Sequence, residues 1–133
     1  MFEIILFSHG PLAEAFLKTS EMVTGQAENI TFFSILPGCN LEEKMEEVRS
    51  CIKDLNRSNK KILVLTDIFF GTPFNTMLQI IDDNFNVYHI TGTNLPILVE
   101  AVSLQRQGRE DMKEIVEYLV DIGKQSIKDC NDI

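Results

Sequence analysis

What this 133-residue chain lacks removes several classes of function at the outset. Cations are in the minority: 12 Lys and Arg stand against 20 Asp and Glu, a formal charge of −8 at pH 7. Binding to a phosphate backbone needs clustered positive charge, so no nucleic-acid role is expected. Cysteine is sparse. Cys39, Cys51 and Cys130 make an odd count with no C-x-x-C pair, a poor basis for a disulfide framework or a metal site. Cys51 falls beside the apolar stripe of a predicted helix, and the compartment reads as reducing cytosol. No apolar run approaches the roughly 18 residues of a membrane span. The start has no basic n-region and leads straight into a predicted strand, so no signal peptide is expected. The phosphate-cradling G-x-x-x-x-G-K-[ST], the dinucleotide fingerprint G-x-G-x-x-G and the hydrolase elbow G-x-S-x-G are all missing. There is no internal repeat and no Gly/Ser- or Pro-rich linker.

What is present is an ordinary globular composition, 44% apolar and 24% charged, at a length that suits one domain over residues 1–133. The organising stretch is Phe2–Ala15, FEIILFSHGPLAEA. Phe2–Phe7 is apolar except for Glu3, as in a strand buried on both faces. Ser8-His9-Gly10 breaks that run, and Pro11 stands where a helix takes its first residue. The pattern then repeats. A first helix runs from Pro11 to about Thr24, with Leu12, Ala15, Phe16, Thr19 and Val23 expected to face inward, a Glu14–Lys18 pair outside, and Gly25 as its stop. A second strand, Ile30–Leu36, ends at Pro37-Gly38. Asn40 and Glu43 resemble a capping box before a helix that buries Leu41, Met45, Val48, Ile52 and Leu55. A third strand, Lys61–Thr66, delivers Asp67 at its end. Thr72-Pro73 starts a helix with Phe74, Met77, Leu78 and Ile81 inside. The fourth strand is Phe85–Thr91. Asn94 caps a helix using Leu95, Leu98, Val99 and Val102, and Gly108 breaks it. A last helix, about Arg109–Gly123, uses Met112, Ile115, Val116 and Leu119. In the tail, Gln125–Lys128 has the makings of a brief edge strand.

Four strands alternating with helices imply right-handed crossovers, hence an α/β three-layer sandwich on a mainly parallel sheet. Ligands of such sheets bind beyond the carboxyl ends of the strands, where the winding reverses. With strand order 2-1-3-4 the first and third strands are neighbours, which sets His9 beside Asp67. A carboxylate on one ring nitrogen fixes the tautomer that exposes the other as a nucleophile. Helix N-termini at Gly10-Pro11 and Thr72-Pro73 would aim amides at the same small volume, with the Thr72 hydroxyl as a further donor. That suits a single phosphoryl group, whose transfer depends on positioning and charge stabilisation. Simpler roles stand beside these: His9 as a polar turn residue, Asp67 as a loop cap, Thr72 as a helix cap, His89 as a strand residue. Phe69 and Phe70 are either a plug in the loop or an exposed docking patch.

The stretches FSHGPLAEAFLKTSEMVTG, ENI, LTDIFFGTPFN and GTNLPILVE, in that order, resemble the IIA component of the mannose-type sugar phosphotransferase system (PTS). The resemblance implies a phosphotransferase with a phosphohistidine intermediate, cytoplasmic and without cofactor or metal. His9 would accept a phosphoryl group on Nε2 from the phosphocarrier protein HPr and pass it to a IIB component, expected to be a separate polypeptide because the chain stops where relatives continue. Asp67 would orient the ring; Gly10, Gly71 and Thr72 would hold the phosphoryl group; Phe69 and Phe70 would meet partners. The membrane permease would be reached only indirectly. The resemblance also implies a homodimer in which an antiparallel C-terminal edge strand is exchanged. Two departures stand out: Phe70 where a second glycine is common, and Thr72 where serine is frequent. The alternatives are the phosphotransfer subunit of a dihydroxyacetone kinase system and a flavodoxin-like or receiver-like binding module. The latter wants an acidic cluster after its first strand, where Ser8-His9-Gly10 stands.

Overall fold

Strand β1 (Glu3–His9) lies inside a four-stranded sheet, and its nearly unbroken apolar sequence follows from that position. The computed structural model describes residues 1–81 and 86–133. In chain order it contains β1, α1 (Leu12–Thr24), β2 (Ile30–Ile35), α2 (Leu41–Arg57), β3 (Ile62–Thr66), α3 (Thr72–Ile81), β4 (Val87–Ile90), α4 (Leu95–Arg106) and α5 (Met112–Gln125). A short 3-10 turn, Cys130–Asp132, ends it. The strands are ordered β2-β1-β3-β4 and every pairing is parallel, the arrangement expected from the alternation of strand and helix.

Side-chain alternation divides β1 between two cores. Ile4 and Leu6, with Leu63 and Leu65 of β3, meet α1, α4 and α5 on one face. Ile5 and Phe7, with Ile62 and Val64, meet Val48 and Ile52 of α2 and Met77 and Ile80 of α3 on the other. Glu3 is the polar exception. Burial pushes its carboxyl pKa up, and the charge on Lys60 only partly counteracts this. Among the described residues, no helix is long and apolar enough to cross a membrane.

Several local expectations hold. Asn40 Oδ1 accepts from the Glu43 amide, and Asn94 Oδ1 from that of Ile97. Gly25 ends α1 at φ 84°, and Lys18 pairs with Glu14 at 2.8 Å. The inward face of α1 does not hold. Ala13 and Ser20 are buried and Phe16 and Leu17 are half-buried, whereas Leu12, Ala15, Thr19 and Val23 are exposed. Small residues at 13 and 20 let the helix approach the sheet closely, and Ser20 satisfies its hydroxyl on the Leu17 carbonyl. A serine on the buried stripe disguised it, so the bulkier neighbouring stripe looked like the core.

Leu41 and Leu78 are likewise exposed rather than core. The fourth strand begins at Val87, and Phe85 lies outside the described residues. The single chain forms no strand over 125–128. Gln125 ends α5, and Ser126 closes that helix by bonding the Gly123 carbonyl. A strand exchanged between copies would be a property of the pair.

Candidate functional site

At the carboxyl edge of the sheet, β1 and β3 are direct neighbours, with Phe7 opposite Thr66 in register. Asp67 follows Thr66 directly and His9 ends β1 two residues past Phe7, and the two meet at this edge. Gly10 turns the chain at φ 57°, a left-handed conformation that favours glycine, and its amide bonds the Ile35 carbonyl at the end of β2. Ser8 Oγ accepts from the Ala13 amide at 2.7 Å, fastening the first turn of α1 behind the histidine.

One carboxylate oxygen governs the imidazole. Asp67 Oδ2 accepts from the His9 main-chain N–H at 2.8 Å and lies 2.8 Å from Nδ1, while Oδ1 accepts from the Ile68 amide at 2.9 Å. The Asp67 side chain is 8% exposed and that of His9 42%. Burial works against charge on Asp67, but the backbone and ring donors of His9 and the Ile68 amide outweigh it and hold the carboxyl pKa below its usual value. An ionised carboxylate only accepts, so in the neutral ring Nδ1 carries the proton and Nε2 keeps a free lone pair.

Gly71 closes the pocket over that ring. A Cβ at 71 would stand 2.4 Å from His9 Cε1 and 3.1 Å from Nε2, so a side chain there would force the ring or the loop to shift. Thr72 follows as the first residue of α3, and the Asn75 amide bonds the Gly71 carbonyl, so Gly71 rather than Thr72 takes the cap position and the N-terminus of the helix lies beside the ring. The structure thus gathers His9, Gly10, Asp67, Gly71 and Thr72 at one edge. Phe69 and Phe70 are 60% and 70% exposed, so they are not buried core. They meet edge to face at 3.9 Å between centroids and reach Phe74 at 4.8 and 5.5 Å. Phe70 holds φ 65°, where a non-glycine residue costs about 1–2 kcal/mol.

Thr66 and His89 were missed as parts of this neighbourhood. His89 is in β4 as expected, but its Nε2 lies 2.7 Å from Thr66 Oγ1, one residue before Asp67. Its ring also lies 5.7 Å from that of Phe74. Burial pushes the His89 pKa down to about 4, so it is neutral at pH 7. The available sequence signal was register: Val64 pairs with His89, which puts the ring on the same sheet face as Thr66.

Comparison with known proteins gives a consistent result. The family model described as PTS system fructose IIA component, EIIA-man, matches residues 3–120. The PTS system mannose-specific EIIAB component of Escherichia coli K12 is 34% identical over 125 residues, 94% of this chain; the chain spans 38% of that relative's length. The PTS system fructose-specific EIIA component of Bacillus subtilis is 28% identical over 99% of this chain and 88% of its own length. Among solved structures, the mannose/sorbose specific IIA subunit from Enterococcus faecalis superposes with a TM-score of 0.85 at 26% identity, covering 96% of this chain and 93% of that one. The EIIA component from Streptococcus agalactiae does so with a TM-score of 0.85 at 27% identity over the whole of both chains.

Proposed function

The chain belongs to the EIIA-man family of PTS IIA components, and from that premise we propose that it is a phosphocarrier whose phosphoryl group is carried on His9 Nε2. The observation that carries the proposal is the bond between His9 Nδ1 and the Asp67 carboxylate, which leaves Nε2 as the one nucleophilic nitrogen at a half-exposed edge. In the forward step the Nε2 lone pair attacks the phosphorus of phospho-HPr. The donor's N–P bond breaks as the His9 N–P bond forms, and the donor imidazole leaves with the electron pair. The His9 ring keeps its Nδ1 proton and gains positive character, which the adjacent Asp67 carboxylate stabilises. The phosphoryl oxygens meet backbone amides at the starts of α1 and α3, where helix N-termini favour negative charge. Passage to a IIB component repeats the exchange with His9 as the leaving group.

Gly10 allows the turn that sets His9 at this edge, Gly71 leaves room for the ring, and Thr72, the first residue of α3, is assigned as a donor to the phosphoryl group. Exposed Phe69 and Phe70 supply apolar surface beside the reacting atom for HPr and the IIB component. The carrier works as a homodimer, with the tail after α5 pairing along the open edge of β4. This reading is supported by the position of β4 at the end of the order β2-β1-β3-β4, which leaves its outer edge without a strand partner among the described residues. The decisive experiment incubates the protein with phosphoenolpyruvate, the first PTS enzyme and HPr. One acid-labile phosphate is expected, on Nε2 by phosphorus NMR, and none on His9→Ala. A phosphate on the His9→Ala protein, or on Asp67, overturns the assignment.

A further inference from the structure

We propose that His89 is a positioning residue for phosphoryl transfer at His9, holding both ends of the loop 67–71 that carries Asp67 and Gly71; this rests on the phosphohistidine reading. At one end, His89 Nε2 shares a 2.7 Å hydrogen bond with Thr66 Oγ1. Thr66 is buried, is the last residue of β3, and its carbonyl accepts from the Thr93 amide at 3.1 Å. At the other end, the His89 ring packs beside Phe74, a buried residue in the first turn of α3 that touches both Phe69 and Phe70. One imidazole therefore fastens the residue before Asp67 and the helix start after Gly71.

Fastening matters here because the loop sits on the reacting ring with no slack. Any atom added at Gly71 would collide with His9 Cε1, and a single Asp67 oxygen serves both the main chain and the ring of His9. The loop also contains Phe70 in a left-handed conformation, which relaxes unless its surroundings hold it. The His89 ring is neutral at pH 7, so it makes its bond without burying a charge.

The test uses His89→Phe, which keeps a ring against Phe74 but loses the partner of Thr66; His89→Gln, whose amide reaches the same hydroxyl; and Thr66→Val. Rapid-mixing single turnovers with phospho-HPr give a maximal rate and a half-saturating concentration. Proton NMR of the unphosphorylated proteins follows the His9 Nδ1–H resonance. His89→Phe and Thr66→Val should each lower the maximal rate about tenfold while half-saturation stays within about twofold, since a small misplacement acts on the chemical step. The double variant should be no slower than the slower single one. His89→Gln should recover most of the rate, and the Nδ1–H resonance should move in His89→Phe and return in His89→Gln. A maximal rate and an Nδ1–H resonance both unchanged in folded Thr66→Val would overturn the proposal, as would full additivity in the double variant. If His89→Phe does not fold, Thr66→Val and His89→Gln decide. Failure of the wild-type protein to take up phosphate would refute the phosphohistidine reading itself, while the resonance still reports whether His89 positions His9.

Discussion

Adding one methyl group at Gly71 tests the geometry of the pocket most directly. The Cβ of alanine would lie 2.4 Å from His9 Cε1, about 1 Å inside an ordinary van der Waals contact, and 3.1 Å from Nε2. Two outcomes relieve the overlap. The imidazole can swing away, lengthening its 2.8 Å contact with Asp67, or the loop can lift and carry the amides of α3 off the phosphoryl site. Either displaces a reacting group by about 1 Å, a shift that can cost on the order of 10²-fold in rate. Overpacking of this kind also costs about 1–3 kcal/mol of stability, a moderate fraction of the total for a domain of this size. The assay is single-turnover transfer from phospho-HPr to Gly71→Ala, with a thermal melt to confirm folding. A maximal rate about a hundredfold lower is expected, with half-saturation by HPr nearly unchanged because Phe69 and Phe70 still face outward. A folded Gly71→Ala protein with wild-type rates would refute both the closeness of the loop to the ring and its part in transfer.

The topology was legible because β1 and β3 are apolar on both faces, a pattern that central parallel strands produce and edge strands do not. From the strand order followed the meeting of His9 and Asp67, since a parallel sheet brings consecutive carboxyl ends to one edge. The register of α1 was not legible. Two stripes at helical spacing compete on that helix, and the one that packs contains Ser20 and Ala13, whose value lies in smallness rather than hydrophobicity. Nor was the bond between Thr66 and His89: it joins positions 23 apart, and only their shared face of the sheet brings them together. The conformation of Phe70 left no trace either, because a phenylalanine does not advertise a positive φ as a glycine would.

Three further predictions bear on the site, the assembly and the core. Asp67→Asn keeps an oxygen that can accept from both His9 donors, whereas Asp67→Ala keeps none. Asp67→Ala should therefore transfer phosphate more slowly than Asp67→Asn, with a loss on the order of 10²–10⁴, and an unchanged rate in Asp67→Ala would remove this residue from the mechanism. Sedimentation equilibrium at micromolar concentration should give twice the 15.1 kDa chain mass, weakened by deletion after Gly123; a clean monomer of the full chain would defeat the homodimer. The last prediction concerns stability against pH. His89 titrates near 4 in the folded protein and ordinarily near 6.5, so between those values the unfolded chain takes up a proton that the folded chain refuses. Its contribution is fully present above about pH 6.5 and is lost as the pH falls towards 4. With 1.36 kcal/mol per pH unit, the loss between pH 7 and pH 4.5 is about 2 kcal/mol. His89→Gln keeps a partner for Thr66 but does not titrate, so urea unfolding at those two pH values should show a smaller drop for the variant by about that amount. Parallel drops in the two proteins would mean that the imidazole is as free to protonate when folded as when unfolded, contrary to its burial beside Phe74 and Thr66.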